Sequence, residues 1–407
     1  GVVAEDGGVA IVGGARKSVW AYPKHVISPE QDNVALYAEF MPRRVDAFLE
    51  GTNVNIMCYG QTGSGKTHTM FGPPGIMARA AAGAFGSEPA PEFGLCPRGL
   101  LDICVQLEQR RQQSDTRYLL TASAVELTVA EGNIDMFSKA EVANSSGALP
   151  DQLRWFSGAN GILLDKTTKP PALFGMTETT IDGPESVLAL FEAIACRNTA
   201  GTGMNDTSSR SHCFVFLTLY AHAPGSDAVR TSRFQFIDLA GSERLNDAHG
   251  SKASTNSTQA GLNNVGYYEG LSTNFGLMML SQRMREVATA GKKGASAKKL
   301  VQMSFKTGGE PDLVPLLSET LAGCALSLIC VCVSAAPANR SQSRNALDFG
   351  RVFSTLKVWP RTQPEVKLRV LRARASELVA SGNAKGGGAN ARYTAVRKAQ
   401  GEAGRNL

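Results

Sequence analysis

The stretch that decides the fold of this chain is Gly60-Gln61-Thr62-Gly63-Ser64-Gly65-Lys66-Thr67. It has the spacing G-x-x-x-x-G-K-[ST] of a phosphate-binding loop. Small residues let successive backbone N–H groups turn inward around a polyphosphate, where a Cβ would obstruct them. We expect Lys66 to reach the outer phosphates and Thr67 to offer its hydroxyl to Mg²⁺.

The flanks of this loop supply the strand–loop–helix context that the motif requires. Residues 54–59, before the loop, form an apolar stretch of strand length. A start compatible with a helix follows at residues 67–70. Such an octamer can occur by chance in a loop, but the flanks favour a nucleotide-binding loop.

Two later segments add to this site. Residues 204–212 are polar and Ser-rich and lead directly into a strand. Residues 231–239 form an apolar strand that reaches Asp238, where an aspartate holds the water shell of Mg²⁺ in nucleotide-hydrolysing proteins. Gly241 follows, and its backbone N–H is a candidate ligand of a γ-phosphate.

In this order the three segments resemble those of the kinesin motor domain. Residues 60–70 resemble GQTGSGKT[YH]TM, residues 205–212 match N-x-x-S-S-R-S-H, and residues 238–243 match DLAGSE. The resemblance covers most of residues 1–356 and includes shorter matches at 94–98, 316–323 and 345–350. It implies a P-loop NTPase of the α/β class, with a central eight-stranded, mostly parallel or mixed sheet and helices on both faces.

The resemblance also implies the roles of individual residues. Ser209 would lie on the metal side of the switch I segment, close to the attacking water, and Ser208 would help shape that segment. Arg210 and Glu243 would pair across the two switches when the γ-phosphate is bound, and Gly241 would sense that phosphate. The expected ATP/ADP contacts are Gly60, Gln61, Thr62, Gly63, Ser64, Gly65, Lys66, Thr67, His68 and Asn205, and the expected Mg²⁺ ligands are Thr67, Ser209 and Asp238.

Two of these roles have open alternatives. Arg210 and Glu243 could form a surface ion pair that contributes little. His68 is expected near the adenine, but a merely packed histidine is an equal alternative.

Composition limits the class of protein. The chain has 407 residues, and its 43% hydrophobic content supports a sizeable core. The longest apolar run, residues 325–336, is too short for a membrane span. The eight cysteines show no paired framework, so we expect buried thiols and a reducing, cytosolic compartment. The chain begins at Gly1 and lacks the family's first R-x-R-P strand, which we expect upstream.

Charge is uneven along the chain. The net charge is +6, whereas residues 357–407 alone carry eleven Lys/Arg and three Asp/Glu. This basic tail indicates an acidic partner or, equally, a solvated segment. Because the tail has only two aromatic residues, Trp359 and Tyr393, and no interleaved aromatic pattern, the sequence argues against a nucleic-acid partner.

Strands alternating with helices predict a sheet covered on both faces. Small strands are expected in residues 2–22, and a long loop in 71–93. The predicted strands are 54–59, 121–128, 212–222, 231–239 and 326–334. The predicted helices are 37–49, 186–196, 270–289, 313–321 and 343–356, with further loops at 246–264 and 292–309.

The segments that face the track in this family depart from its pattern. The helix motif E-x-x-x-I-N-K-S-L corresponds to residues 269–277, where Phe275 and Gly276 replace the Lys and Ser. The usual Y-R-D-S-K-L-T is absent at 308–314. Lysines between the two regions, Lys292, Lys293, Lys298, Lys299 and Lys306, could still attract an acidic polymer electrostatically or could form a solvated loop.

The predicted domain division is a motor at 1–356 and an extension at 357–407. Residues 357–360 would be a short neck linker, and a helix would start at Pro364, with Leu368, Leu371, Ala375 and Leu378 on one face. Self-association through this helix is an expectation. Two heptads are too few to assert a coiled coil.

The sequence therefore predicts an ATP-hydrolysing motor that binds microtubules, the polymers of α/β-tubulin. Its predicted location is the microtubule cytoskeleton of the cytoplasm. One version is a slow or stationary motor in a stable array such as a cilium or flagellum. The alternative is a non-catalytic protein that keeps its nucleotide as a structural ligand. An unrelated phosphate-loop enzyme would need a catalytic constellation in 71–93 or 129–180, and none is evident there.

Overall fold

The computed structural model describes residues 2–5, 8–11, 18–21, 26–27, 31–85, 89–127, 133–138, 162–165, 171–197, 211–243, 260–306 and 311–370. Its strands are β1 Val2–Glu5, β2 Gly8–Ile11, β3 Ser18–Ala21, β4 Val54–Tyr59, β5 Arg117–Leu127, β6 Asn133–Asp135, β7 Leu163–Asp165, β8 Ala172–Phe174, β9 Thr179–Thr180, β10 His212–His222, β11 Ala228–Asp238, β12 Leu326–Val331 and β13 Val366–Lys367. Its helices are α1 Asn33–Phe40, α2 Pro42–Leu49, α3 Lys66–Met70, α4 Ile76–Ala81, α5 Leu95–Gln113, α6 Pro184–Ala195, α7 Ala260–Lys292, α8 Ala297–Ser304, α9 Leu313–Leu316, α10 Ser318–Ala322 and α11 Arg340–Phe353.

The central sheet has eight strands, in the order β12-β4-β11-β10-β5-β6, with β13 added on β11 and β9 on β5. The predicted eight-stranded α/β sheet is confirmed. It is mixed rather than mostly parallel, because the described pairings β12–β4 and β4–β11 are parallel whereas those of β10, β5, β6, β9 and β13 are antiparallel. Long adjacent strands such as β10 and β11, joined by a short turn, dictate this antiparallel half.

Side-chain alternation along the strands creates one core on each face of the sheet. On β4, Ile56 and Cys58 enter the core that contains α1, α2, α4, α5 and α6. Met57 and Tyr59 enter the opposite core, which contains α7 to α11. The prediction of helices on both faces is confirmed.

The N-terminal strands predicted in residues 2–22 form a separate antiparallel sheet in the order β1-β2-β3. The predicted strands 54–59 and 212–222 match β4 and β10 residue for residue. The predictions of strands at 121–128, 231–239 and 326–334 and of helices at 186–196 and 343–356 are confirmed with shifted ends.

Two secondary-structure predictions in the N-terminal half of the chain were wrong. The helix predicted at 37–49 is broken at Met41, because Pro42 starts a new helix as its first residue, where its missing N–H costs nothing. The loop predicted at 71–93 contains α4, whose Ile76 and Met77 are buried in the first core. Tertiary burial therefore stabilises a helix that composition did not indicate.

Further corrections concern the second half of the chain. Helix α7 already begins at Ala260, inside the loop predicted at 246–264, and extends beyond the predicted 270–289. The loop predicted at 292–309 contains α8, which Ser296 caps by accepting from the Lys299 N–H and which Leu300 anchors in the second core. The helix predicted at 313–321 is divided at Leu317 into α9 and α10.

The helix predicted from Pro364 was also wrong at its start. Val366 and Lys367 form β13, which pairs antiparallel with Val229 and Ala228 of β11. Open backbone groups at the start of β11 offer hydrogen bonds that a helix at this point would leave unmade. Residues 368–370 are helical, as predicted, and the rest of the predicted helix, from residue 371 onward, lies outside the described residues.

Candidate nucleotide-binding site

The phosphate-binding loop connects β4 to α3 with the backbone conformation that its glycines permit. Gly63 and Gly65 have φ angles of 74° and 98°, and no atom of the described part of the chain lies within 4 Å of their missing Cβ atoms. Gly60 is different, because a Cβ there would overlap the carbonyl oxygen of Cys332 and lie 2.7 Å from the Ser64 hydroxyl. The loop therefore presents an open cradle on one side and is packed against the end of β12 on the other.

Lys66 is buried at the start of α3. Its Nζ donates to the Gln61 carbonyl at 2.8 Å, within the loop itself. Burial lowers the pKa of Lys66, and the carboxylates of Asp238 and Glu243 oppose this shift. An ammonium held in this way is a charged hydrogen-bond donor, and phosphate oxygens can replace the carbonyl as its acceptors.

Asp238 lies at the end of β11, beside the loop. Its Oδ2 accepts from the Thr67 hydroxyl at 2.7 Å and from the Arg197 guanidinium at 2.5 Å. Within the described residues, its buried Oδ1 has no hydrogen-bond partner. The two groups predicted to hold Mg²⁺ are therefore adjacent, and one carboxylate oxygen is left for a metal-bound water. Hard oxygen ligands of this kind fit Mg²⁺.

Arg197 is a site residue that the sequence did not reveal. Its side chain is only 2% exposed. Besides Asp238, it donates to the Ser211 carbonyl at 3.0 Å and lies 3.9 Å from the carboxylate of Glu126, which in turn accepts from the Ser211 hydroxyl. Burial lowers the pKa of Arg197, but Asp238 and Glu126 more than offset this and raise it overall. The only signal in the sequence was an arginine directly after the apolar helix α6.

His212 connects the start of β10 to the segment after β11. Its Nδ1 accepts from the Ala240 N–H at 3.0 Å, which requires the neutral imidazole. Burial, with the nearby charges of Arg197 and Lys66, lowers the pKa of His212 to about 3. This residue ends the second sequence motif, but no role for it was predicted.

The DLAGSE segment closes against the phosphate loop through Glu243. Its Oε2 accepts from the Thr62 N–H at 2.8 Å and its Oε1 from the Thr62 hydroxyl at 2.5 Å. A Cβ on Gly241 would overlap both the Glu243 carboxylate and the Thr62 hydroxyl. Close approach of the two segments therefore needs a glycine at 241.

Among the other predicted site residues, Gln61 is buried and Thr62 is exposed, and the side chain of His68 is exposed rather than packed. The His68 carbonyl accepts from the Asn33 amide at 3.1 Å. The predicted contributions of Asn205, Ser208, Ser209 and Arg210 lie outside the described residues. The structure thus assembles Gly60 to Thr67 with Asp238, Gly241 and Glu243.

The face formed by α7 and α8 carries the departures noted in the sequence. Phe275 and Met278 of α7 are 46% and 54% exposed. The lysines of this region, Lys292, Lys293, Lys298, Lys299 and Lys306, are all exposed. A groove of about 1260 Å³ is lined by residues of α7 and α11, and Glu243 and Tyr59 also line it. The nucleotide edge is therefore in direct contact with this face.

Residues 357–368, which we call the strap, cross the opposite end of the sheet. The Trp359 N–H donates to the Gly323 carbonyl at 2.9 Å, the Gln363 N–H to the Gly51 carbonyl at 2.8 Å, and the Leu368 N–H to the Asp227 carbonyl at 2.7 Å. Between them β13 extends the sheet on β11. Because β11 also carries Asp238 at its other end, one strand joins the strap to the nucleotide site.

Of the helices in the described ranges, none has both the length and the apolar character needed to cross a membrane.

Comparisons with known proteins agree with this geometry. The family model of the kinesin motor domain matches residues 14–355. The chain is 26% identical over 324 residues to the kinesin-like protein kif7 of Danio rerio, which covers 78% of this chain and 20% of the relative. It is 25% identical over 374 residues to the chromosome-associated kinesin KIF4 of Xenopus laevis, covering 90% of this chain and 26% of the relative. The chain thus spans a fifth to about a quarter of the length of these relatives.

Solved structures show the same fold. The structure of a fast kinesin matches with a TM-score of 0.62 and 17% identity, covering 90% of this chain and 88% of that one. A KIF14 dimer in its two-heads-bound state, with AMP-PNP and in complex with a microtubule, matches with a TM-score of 0.67 and 22% identity, covering 91% and 92%.

Proposed function

The chain belongs to the kinesin motor-domain family, and on that basis we propose that it is an ATP-hydrolysing motor domain that binds microtubules. The observation that carries this proposal is the meeting of Lys66, Thr67, Asp238 and Glu243 at one edge of the sheet. A positive group for phosphate oxygens, ligands for Mg²⁺ and a carboxylate on the phosphate loop are the parts that phosphoryl transfer needs.

In this proposal the loop Gly60–Thr67 binds the phosphates of ATP or ADP, with His68 and Asn205 as further nucleotide contacts. Thr67, Ser209 and Asp238 hold Mg²⁺, which supplies neutralisation of the phosphate charge when it is bound. Ser208, Ser209 and Arg210 form the switch I side and Gly241 and Glu243 the switch II side. Glu243, which is bonded to Thr62 in this structure, would release the loop and pair with Arg210.

The proposed partner is the microtubule surface of α/β-tubulin, bound through the face of α7 and α8. The five exposed lysines of this face would attract an acidic polymer, and the attraction would weaken with salt. Exposed Phe275 and Met278 would add apolar contact at its centre. We place the protein on the microtubule cytoskeleton of the cytoplasm, and a cilium or flagellum is the stable array in which a slow or stationary version would act.

We further propose that residues 1–356 are the motor and 357–407 an extension that begins with the strap. The strap would be the lever, because β11 connects it to Asp238. Loss of phosphate beside Asp238, at one end of β11, would then change how the strap docks at the other end. Self-association would rest on the segment after Leu368.

ATP turnover with and without microtubules tests the proposal. We expect turnover that microtubules stimulate at low salt and that Lys66→Ala abolishes. Binding of nucleotide without any turnover, even with microtubules, would instead favour the non-catalytic alternative. In single-molecule assays, processive stepping would rule out the stationary version.

A matched pair of variants tests the tubulin-binding face. Lys298→Ala/Lys299→Ala removes two charges from α8, whereas Arg43→Ala/Arg111→Ala removes two exposed charges from α2 and α5 on the other side of the sheet. Only the first pair should weaken microtubule co-sedimentation, and the loss should shrink between about 50 and 200 mM salt. Equal losses from both pairs would contradict this assignment.

A further inference from the structure

The connection between α7 and α8 is surrounded by positive charge. Residues 287–309 contain five lysines and neither aspartate nor glutamate. Two of the lysines, Lys292 and Lys293, lie where α7 ends, and Lys298 and Lys299 lie in the first turn of α8. All four are exposed. An enzyme whose substrate cleft is lined by carboxylates would therefore be attracted to this connection from both sides.

Ser296 carries the one hydroxyl group of the connection, residues 293–296. The residue is exposed, and its backbone is extended, with φ −65° and ψ 155°. Its Oγ accepts from the Lys299 N–H at 3.3 Å, which is long for a bond of this kind. An enzyme that binds its substrate as an extended strand can therefore reach this hydroxyl.

The other hydroxyl groups in the described part of residues 287–309 are less suited to modification. Ser304 is 2% exposed, and its Oγ donates to the Leu300 carbonyl at 2.9 Å. Thr289 is exposed but lies inside α7, and its carbonyl accepts from the Lys293 N–H at 3.1 Å. Binding of Thr289 as an extended strand would require the end of α7 to unfold.

We propose that Ser296 is a phosphorylation site for a protein kinase with an acidic substrate cleft. The Ser296 Oγ attacks the γ-phosphorus of the ATP that the kinase holds and forms the new P–O bond. The bond between that phosphorus and the β–γ bridging oxygen breaks, and ADP leaves. The hydroxyl proton passes to a carboxylate of the kinase. The neutral serine thereby gains a charge of about −1.5 to −2.

A phosphate fits the folded structure at this position. Ser296 is the N-cap of α8, where the helix dipole favours negative charge and the Lys299 N–H already points at the Oγ. Ser114 offers a contrast. It is also exposed, extended and preceded by Arg110 and Arg111, but it ends α5, and its Oγ donates to the Arg110 carbonyl at 3.3 Å. A phosphate there would meet the negative end of the helix dipole.

The consequence for microtubules rests on the proposed function. Phosphorylation would lower the charge of residues 287–309 from +5 to about +3, on the face to which tubulin binding is assigned. Electrostatic attraction to an acidic polymer would weaken accordingly. Phosphorylation of Ser296 would thus release the protein from its track and leave the nucleotide site unchanged.

Phosphosite mapping tests the modification without reference to microtubules. The full chain is incubated with MgATP and the catalytic domain of protein kinase C, digested and analysed by mass spectrometry. We expect Ser296 to be labelled at least about tenfold faster than Ser114, which lies next to Asp115. Absence of label on Ser296, or labelling no faster than that of Ser114, would overturn the proposal.

A second measurement tests the consequence, by co-sedimentation with microtubules at about 50 mM salt. The chain labelled at Ser296 should bind at least about threefold more weakly than the untreated chain, and a phosphatase should restore binding. Ser296→Asn keeps a capping acceptor but carries no hydroxyl, so the kinase should leave its binding unchanged.

The two measurements fail separately. Equal binding of the labelled and the untreated chain would refute the effect of the phosphate on the tubulin-binding face. If the untreated chain failed to co-sediment, the proposed function would be wrong instead. The phosphosite map, which uses no microtubules and no variant, still decides whether Ser296 is the modification site.

Discussion

The two ends of β11 are held by different forces. At its C-terminal end Asp238 is held by Arg197 and Thr67, in a network of buried charges. At its N-terminal end the strap is held by backbone hydrogen bonds to Gly323, Gly51 and Asp227, and one exposed ion pair, Lys367–Asp227 at 3.8 Å, accompanies them. The C-terminal end therefore depends on the side chains of Arg197, Asp238 and Thr67. The N-terminal end depends on a close backbone contact at Gly323, which a side chain would obstruct.

The largest effect is expected from breaking the charged end. In Arg197→Met the carboxylate of Asp238 stays buried without its cation, and breaking a buried pair in this way costs about 3–5 kcal/mol. Urea unfolding should therefore show a much lower free energy of unfolding. The control Arg111→Met breaks the exposed pair with Glu108 at 3.4 Å and should cost no more than about 1 kcal/mol. Similar losses of unfolding free energy in the two variants would show that the buried network stabilises the fold no more than an exposed ion pair does.

Acid should weaken the same end through His212. Its pKa is about 3 in the folded protein and about 6.5 in an unfolded chain, so the unfolded state takes up the proton first as the pH falls. The stabilisation is complete above about pH 6.5 and is lost toward pH 3, by up to about 1.4 kcal/mol per pH unit.

His212→Gln isolates this contribution, because glutamine offers an acceptor to the Ala240 N–H and does not titrate. Free energies of unfolding measured from about pH 7 to 4.5 should fall by up to roughly 3 kcal/mol more in the wild type than in the variant. Parallel pH profiles would mean that His212 is accessible to protons in the folded state.

At the strap, an added methyl group should be the disruptive change. Gly323 has a φ of 71°, and its Cβ would overlap the Lys357 carbonyl oxygen. Gly294 has a φ of 82°, and none of the described residues has an atom within 4 Å of the Cβ position. Gly294→Ala should therefore cost only the conformational strain, about 1 kcal/mol, whereas Gly323→Ala should cost about 1–3 kcal/mol by adding overlap.

Amide hydrogen exchange distinguishes these two glycine variants. In Gly323→Ala, the amides of Trp359, Gln363 and Leu368 should exchange faster, because the strap leaves the sheet. Exchange at Asp238 and Ala240 should stay slow in both variants. Slow exchange along the whole strap in Gly323→Ala would show that the docked strap tolerates the methyl group.

The sequence predicted features that depend on local signals and missed those that depend on contacts between distant segments. The loop at 60–67 and the strands β4 and β10 were predictable because their signals are local: a fixed glycine spacing and apolar runs with clear ends. Arg197 was not, since it follows helix α6 whereas its partner Asp238 lies at the end of β11, and no spacing rule relates the two. Side-chain networks form only after the sheet has brought distant segments together.

Non-local contacts also explain the missed elements. Half of the eight residues of helix α8 are polar or charged, and Leu300 is its only fully buried apolar residue, so its sequence resembles a loop. Strand β13 is two residues long, and its conformation comes from pairing with β11. In both cases the local sequence fits several structures, and a contact from elsewhere in the chain selects one.

The smallest expected effect concerns a glycine at neither end of β11. Gly276 lies inside α7, where glycine costs about 1 kcal/mol relative to alanine. A Cβ there would meet Pro311 at 3.7 Å and Leu313 at 3.8 Å, which are ordinary contact distances. Gly276→Ala should therefore raise the free energy of unfolding by about 0.5–1 kcal/mol. In Gly99→Ala, within α5, the Cβ would lie 2.9 Å from the Phe236 ring, so the same change should destabilise. A loss of stability in Gly276→Ala would mean that α7 needs this glycine for a reason other than packing, such as movement against α9.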